Sequence, residues 1–270
     1  MAYLNRTTEQ WQEIDSAHHL HPFTDYKSLA KEGSNIIVKA DGVYLTNTDN
    51  KQFLDAMSGL WCVNVGYGRK ILADVAYKQM QELPYYNSFF KTATAPSIEL
   101  AQQLAEISPG DLNHAFFSSS GSEANDTVVR MVRRYWDLKG QPNKKTFISR
   151  EYAYHGSTMT GMNLGGMTAM HEQGGMMPGF AHVMPPYWYK YGQEMSPEEF
   201  GVFTANKIEE KITKKTKAIL PVHWGGASPD IYKIIKLAKK YNLEIIEDAC
   251  MGIGGKIFNN HLVVLVVLTL

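Results

Sequence analysis

The chain has 270 residues, and its 27 basic and 27 acidic side chains cancel, which removes the electrostatic reason to expect nucleic acid or an anionic membrane as a partner. Two cysteines, Cys62 and Cys250, cannot build a disulfide framework, and the polar, charged N-terminus does not read as a secretory leader. The longest apolar run, Leu262 to Leu270, is too short to span a bilayer, so a cytoplasmic protein that handles small molecules is expected.

A short helix is expected near Thr8 to Ser16. Ile36 to Lys39 and Val43 to Thr46 flank Asp41-Gly42, a dipeptide that favours a tight hairpin. Residues 1 to 66 read as a small N-terminal lobe, 67 to 260 as a larger domain, and 261 to 270 as an apolar tail. Helix Lys70 to Leu83 should stop at Pro84, and helix Ser97 to Ile107 near Pro109-Gly110. Ala115-Phe116-Phe117 reads as a short buried strand. Beyond it Ala124, Val128, Met131, Val132, Tyr135 and Leu138 recur on one helical face, and that helix closes at Gly140. Thr146 to Ser149 is the next expected strand, and residues 165 to 192 read as a long connection rich in Gly, Met, Pro and Tyr. The last third repeats strand, helix, strand: Ala218 to Val222, then Ser228 to Tyr241, then Leu243 to Glu247. In that helix Ser228 caps, Pro229 starts, and Ile231, Ile234, Ile235 and Ala238 face a core. The alternation predicts an α/β fold, a mainly parallel sheet flanked by helices, with its ligand crevice at the C-terminal strand ends.

Ser118-Ser119-Ser120-Gly121-Ser122-Glu123-Ala124-Asn125 brings hydroxyls and unpaired N–H groups to the positive end of a helix dipole, which suits a phosphate. The alternative is that the serines only cap the helix. Asp248 ends an apolar strand at the crevice, where it could pair with a protonated ring nitrogen or serve as a cap or structural ion pair. Tyr154-His155-Gly156-Ser157 follows another strand, and a planar ring could stack on Tyr154. His223 also sits at this edge and reads as a structural histidine without a nearby acid. The nine histidines show no metal-ligand spacing, and His18-His19 with His21 could take a metal only through their exposure, so no metal is expected. A nicotinamide cofactor is disfavoured because the turn lacks G-x-G-x-x-G, and a Walker lysine is absent.

Over about residues 11 to 212 the chain resembles the class III pyridoxal-phosphate aminotransferases of the omega-amino acid or amine:pyruvate type. The residues that carry the resemblance are Asp55-Ala56-Met57-Ser58-Gly59-Leu60-Trp61-Cys62-Val63-Asn64-Val65-Gly66-Tyr67-Gly68, Tyr86-Asn87-Ser88-Phe89-Phe90, Ser-Gly-Ser-Glu-Ala-Asn from Ser120, Tyr154-His155-Gly156 and Pro185-Pro186-Tyr187. The resemblance implies the fold type I of pyridoxal 5'-phosphate enzymes and a homodimer. It implies that Ser120, Gly121 and Ser122 hold the cofactor phosphate, with Tyr154 on the ring and His155 beside it. Phe23, Trp61, Phe89 and Phe90 would line the amine pocket, the phenylalanine pair from a second subunit. The reaction implied moves an amino group from an amine or omega-amino acid to pyruvate or a similar 2-oxo acid.

From about residue 213 to 260 the wording, Lys217-Ala218-Ile219-Leu220-Pro221-Val222-His223 and Ile246-Glu247-Asp248-Ala249-Cys250, resembles the DegT-type sugar aminotransferases instead. In both branches the strand-end acid, here Asp248, is the pyridine-nitrogen partner, whereas Met251 replaces a polar ring contact of the sugar branch. Both branches also need a lysine that forms a Schiff base with the cofactor aldehyde. Only Lys256 follows Asp248, and its place after Gly254-Gly255 is that of an ordinary hairpin lysine. The expectation is therefore a C-terminally truncated aminotransferase that lacks its last lobe and its catalytic lysine and turns nothing over. The alternatives are a non-catalytic fused or truncated chain keeping part of a phosphate site, and a sugar aminotransferase.

Overall fold

The computed structural model describes residues 6–108, 112–192, 194–223, 227–252, 255–257 and 260–261. The chain divides into two compact units, Met1–Ala93 and Thr94–Leu270. Among the described residues no helix is long and apolar enough to cross a membrane.

The first unit opens with α1 (Thr8–His18), where the Thr7 hydroxyl accepts the Gln10 N–H and the Gln10 carboxamide accepts the Thr7 N–H. Helix α2 (Tyr26–Glu32) is capped by Asp25. Strands β1 (Ile37–Asp41), β2 (Tyr44–Asn47) and β3 (Gln52–Leu54) form an antiparallel sheet in that order. Gly42 supplies the left-handed dihedrals of the expected hairpin, with φ 56°. Sequence reading missed β3, which has three residues and polar neighbours. Next comes α3 (Ser58–Trp61), in which Ser58, Gly59, Leu60 and Trp61 all take positive φ, between 49° and 62°. Helix α4 (Lys70–Glu82) ends before Pro84 as its sequence dictates. Tyr67 is bridged to Gly42 through reciprocal backbone bonds, so the expected lobe boundary near residue 66 falls inside this unit.

The second unit contains α5 (Ala95–Ile107), α6 (Gly121–Leu138), β4 (Thr146–Arg150), α7 (Met159–Leu164), α8 (Thr168–Gly174) and β5 (Phe180–Val183). It continues with α9 (Trp188–Tyr191), α10 (Pro197–Lys211), β6 (Thr216–Ile219), α11 (Ile231–Tyr241), β7 (Glu244–Ile245) and the antiparallel pair β8 (Lys256–Ile257) and β9 (Asn260–His261). The main sheet is parallel throughout, in the order β5-β4-β6-β7. Neighbouring residues on a strand point to opposite faces, and β6 shows this directly. Ala218 and Leu220 pack with Val128, Val132 and Trp136 of α6, while Ile219 packs with Ala238 and the isoleucines of α11. At β6, α6 thus covers one face and α11 the other, and the strand ends between them are where side chains from several elements converge.

Four expectations are corrected. Ala115-Phe116-Phe117 forms no strand, and both phenylalanines are exposed. No strand among the described residues lies beside the segment, and an apolar run without a ladder partner stays irregular. Helix α6 buries Asn125, Val128, Val129, Val132 and Trp136, while Met131 and Leu138 face solvent. Val128 and Val132 belong to two adjoining apolar stripes, and the sheet selects the one containing Trp136. The connection from 165 to 192 contains α8, α9 and the edge strand β5, whose Phe180 stacks on Phe147 at 5.8 Å. Asp230, not Ser228, caps α11: its carboxylate accepts the Lys233 N–H at 3.1 Å. The expected helix stop at Pro109-Gly110 and the tail from residue 262 onward lie outside the described residues.

Candidate functional site

The serine turn leads into the N-terminus of α6 at the C-terminal edge of the sheet. Ser120 is the N-cap, and its hydroxyl accepts the Glu123 N–H at 3.2 Å. Glu123 in turn accepts the Ser119 N–H at 2.9 Å. Capping and phosphate binding are therefore compatible: the cap uses the Glu123 N–H and leaves those of Gly121 and Ser122, which a helix start cannot pair internally.

Residues 155 to 158 are laced against α6. The Ser122 hydroxyl accepts the Ser157 N–H at 3.0 Å, the Asn125 amide donates to the His155 carbonyl at 2.7 Å, and the Thr158 hydroxyl donates to Asp126 at 2.8 Å. Gly156 has φ 117°, and a Cβ there would lie 2.5 Å from the Ser122 oxygen and 2.8 Å from its Cα. Only glycine allows that approach.

The other side of the segment meets the sheet. His155 Nδ1 lies 2.7 Å from Asp248 Oδ2, with side-chain exposures of 1% and 7%. The backbone fixes Asp248 through a parallel bridge to Val222, its N–H donating to the Pro221 carbonyl. Burial pushes the Asp248 carboxyl up, but the hydrogen bond and electrostatic attraction of His155, helped by Cys250, hold it below the usual carboxylate range. At neutral pH it is an anion whose Oδ1 is left to a weak 3.4 Å contact with the Cys250 N–H. The imidazole's Nε2 is buried with no hydrogen-bond partner among the described residues.

Ser122, His155 and Asp248 are thus joined by hydrogen bonds and short chain segments. Tyr154 precedes His155, is half exposed, and lines a cavity of about 490 Å³ with Arg150, Tyr152, Pro185, Tyr187 and Ile234. That cavity is mostly apolar, and Tyr154 is the one expected cofactor residue among its lining residues. Phe23, Trp61, Phe89 and Phe90 belong to the first unit and are all exposed. The sequence reading missed Asn125, Thr158 and Asp126, which hold the histidine loop. It also gave His223 no acid, whereas Glu247 Oε2 lies 2.8 Å from His223 Nε2. Alternation along the strand after Ile246 sends Glu247 and Asp248 to opposite sides, and each finds its own imidazole.

The aminotransferase class-III pattern matches residues 28–237, past the break expected near Thr213. The putrescine–pyruvate aminotransferase of Pseudomonas aeruginosa is 50% identical over 256 residues, covering 90% of this chain and 56% of that protein. Among solved structures, the (S)-enantioselective omega-transaminase of Thermomicrobium roseum superposes with a TM-score of 0.84 at 37% identity, over 90% of this chain and 57% of that one. The omega-transaminase of Pseudomonas jessenii in complex with PMP gives 0.84 at 34% identity, over 89% and 56%. The chain belongs to the class III aminotransferases, which are pyridoxal 5'-phosphate enzymes of fold type I. It spans a little over half the length of these relatives.

The residues present fit that cofactor. A helix start with two N–H groups left over suits a phosphate, and a buried carboxylate anion whose Oδ1 is held only by Cys250, at 3.4 Å from its N–H, suits a protonated ring nitrogen.

Proposed function

We propose that the protein transfers an amino group from an amine or omega-amino acid to pyruvate or a similar 2-oxo acid, and that this chain holds its pyridoxal 5'-phosphate. The observation that carries the reading is the buried His155–Asp248 pair, tied to the start of α6 through Ser122 and Asn125. A diamine as donor is supported by the 50% identity to a putrescine–pyruvate aminotransferase. The sugar-branch wording after Thr213 is outweighed by the class III match running to residue 237.

When bound, the cofactor's pyridinium ring acts as an electron sink for the substrate carbon next to nitrogen. Ser120, Gly121 and Ser122 would hold its phosphate with hydroxyls and N–H groups at the positive helix end. Asp248 would accept the ring N–H and keep that nitrogen protonated, which an un-ionised acid could not do. His155 fixes the carboxylate's orientation and sustains its charge. Tyr154 would cover one ring face and exclude water from it. Phe23, Trp61, Phe89 and Phe90 would form the amine pocket in a homodimer.

Titration calorimetry with pyridoxal 5'-phosphate tests the seat without requiring turnover. Saturable binding is expected, weakened about tenfold or more in Asp248→Asn, where an ionic partner becomes a neutral one; equal affinity in the variant would sink the site. Borohydride reduction of the loaded chain then asks whether a lysine of this chain carries the cofactor. A covalent adduct on Lys256 with putrescine turnover would assign the Schiff base to that residue.

A further inference from the structure

We propose that Asp15, His19 and His21 form a binding site for a divalent transition-metal ion of the zinc class. His19 Nδ1 lies 2.9 Å from Asp15 Oδ1, and His21 Nε2 lies 2.8 Å from Asp15 Oδ2. The three ligand atoms all lie within 4.8 Å of one another. Ligands on a tetrahedral ion with bonds of about 2.0–2.2 Å stand roughly 3.3–3.6 Å apart, so side-chain shifts of about an ångström or less admit the ion. Two imidazoles and a carboxylate favour zinc, nickel or copper over magnesium or calcium.

The local chain builds this arrangement. Asp15 and His19 are one helical turn apart, at the end of α1. His19 leaves the helix with extended dihedrals, φ −108° and ψ 120°, and the reversal that follows returns His21 to the same carboxylate. The two rings are 4.2 Å apart, and the Tyr26 hydroxyl donates to the His21 carbonyl at 2.6 Å, holding the reversal. Asp15 and His21 are largely shielded, with side-chain exposures of 14% and 22%, whereas His19 is 62% exposed. The site is therefore shielded on one side and open to water on the other, as three protein ligands and a solvent ligand require. Each imidazole would bind through the nitrogen that now faces the carboxylate and carry its proton on its other ring nitrogen. An ion held there would pin the segment that leads, two residues after His21, to Phe23.

The test uses the full, untagged chain, stripped with chelator and titrated with Zn²⁺ by calorimetry and with Co²⁺ by absorption. One equivalent per chain is expected. His19→Ala and Asp15→Asn should each weaken it about tenfold or more, comparable to other losses at a metal site, while His18→Ala on the same turn leaves it unchanged. The ligand-field bands of Co²⁺ should disappear in His19→Ala, an exposed position where folding is safe even if Asp15→Asn unfolds α1. Absence of saturable binding, equal binding in His19→Ala, or equal loss in His18→Ala would each overturn the assignment.

Discussion

His155 and Asp248, 93 positions apart in sequence, meet at 2.7 Å with almost no solvent on either side chain. The contact joins a loop held by α6 to the segment just beyond β7, so the start of α6 and the sheet edge are tied through one bond. It also decides the charge of the acid, because burial alone would favour the neutral form and the bonded imidazole reverses that.

The first prediction concerns acid stability. Asp248 titrates lower in the folded chain than in the unfolded one, near 3.9. Its contribution is therefore complete above the unfolded value and is lost as pH falls through the folded one. His155→Ala should move acid unfolding to higher pH and lower neutral-pH stability by about 1–3 kcal/mol, the cost of a buried group losing its partner. Circular dichroism across an acid titration checks this; coincident curves would mean the pair contributes nothing.

Lys217 predicts a slope of the same sign in the alkaline range, arising from a penalty that fades with rising pH instead of a contribution that is lost with falling pH. It is fully buried on β6, its ammonium donates to the Arg133 carbonyl at 3.3 Å, and burial pushes it down to about 8, with Asp137 offsetting part of the effect. A base lowered on folding destabilises the fold fully below its folded value, and the penalty fades as pH rises toward the unfolded value, near 10.4. Wild-type stability should thus rise between about pH 8 and 10. Lys217→Met should be more stable at neutral pH by roughly 1–3 kcal/mol and lack that rise, as denaturant midpoints at several pH values would reveal.

Gly156→Ala should be costly because it meets two obstacles together, the dihedral and the Ser122 overlap. A loss of about 1–3 kcal/mol from the backbone alone is expected, with weakened pyridoxal 5'-phosphate binding as Ser122 is displaced. A variant as stable as wild type would show that the loop is not held against α6.

The face of α6 can be tested by a pair of truncations. Val132→Ala, at a position with 0% exposure, should cost about 1.5–3 kcal/mol, whereas Met131→Ala, 49% exposed, should stay within about 0.5 kcal/mol. Comparable losses at both positions would restore the wider face that the sequence periodicity suggests.

These positions also show how far the sequence could be read. A helix with strong punctuation, such as α4 before Pro84, carries its boundary in a few local residues, whereas α10 went unread although its Ser196 capping box is just as local. The parallel alternation was legible for the same reason, and so was the serine turn. What was not legible depends on partners distant in the chain. Periodicity limits which stripe of α6 is apolar, but the sheet selects between adjoining stripes. Ala115-Phe116-Phe117 has the composition of a strand, yet a strand exists only where a second one accepts its hydrogen bonds. Asp248 was placed at the crevice by strand register, while its bond to His155 depends on a loop held by Asn125, Ser122 and Asp126.

The turn from Ser58 to Trp61 has a thermodynamic consequence. Ser58, Leu60 and Trp61 each carry a side chain in the left-handed region, at about 1–2 kcal/mol apiece. Roughly 3–6 kcal/mol is therefore stored within one turn of an exposed segment. Backbone hydrogen bonds hold that strain in place: the Trp61 N–H donates to the Met57 carbonyl at 2.8 Å, and the Cys62 and Val63 N–H groups both donate to the Ser58 carbonyl at 2.9 Å.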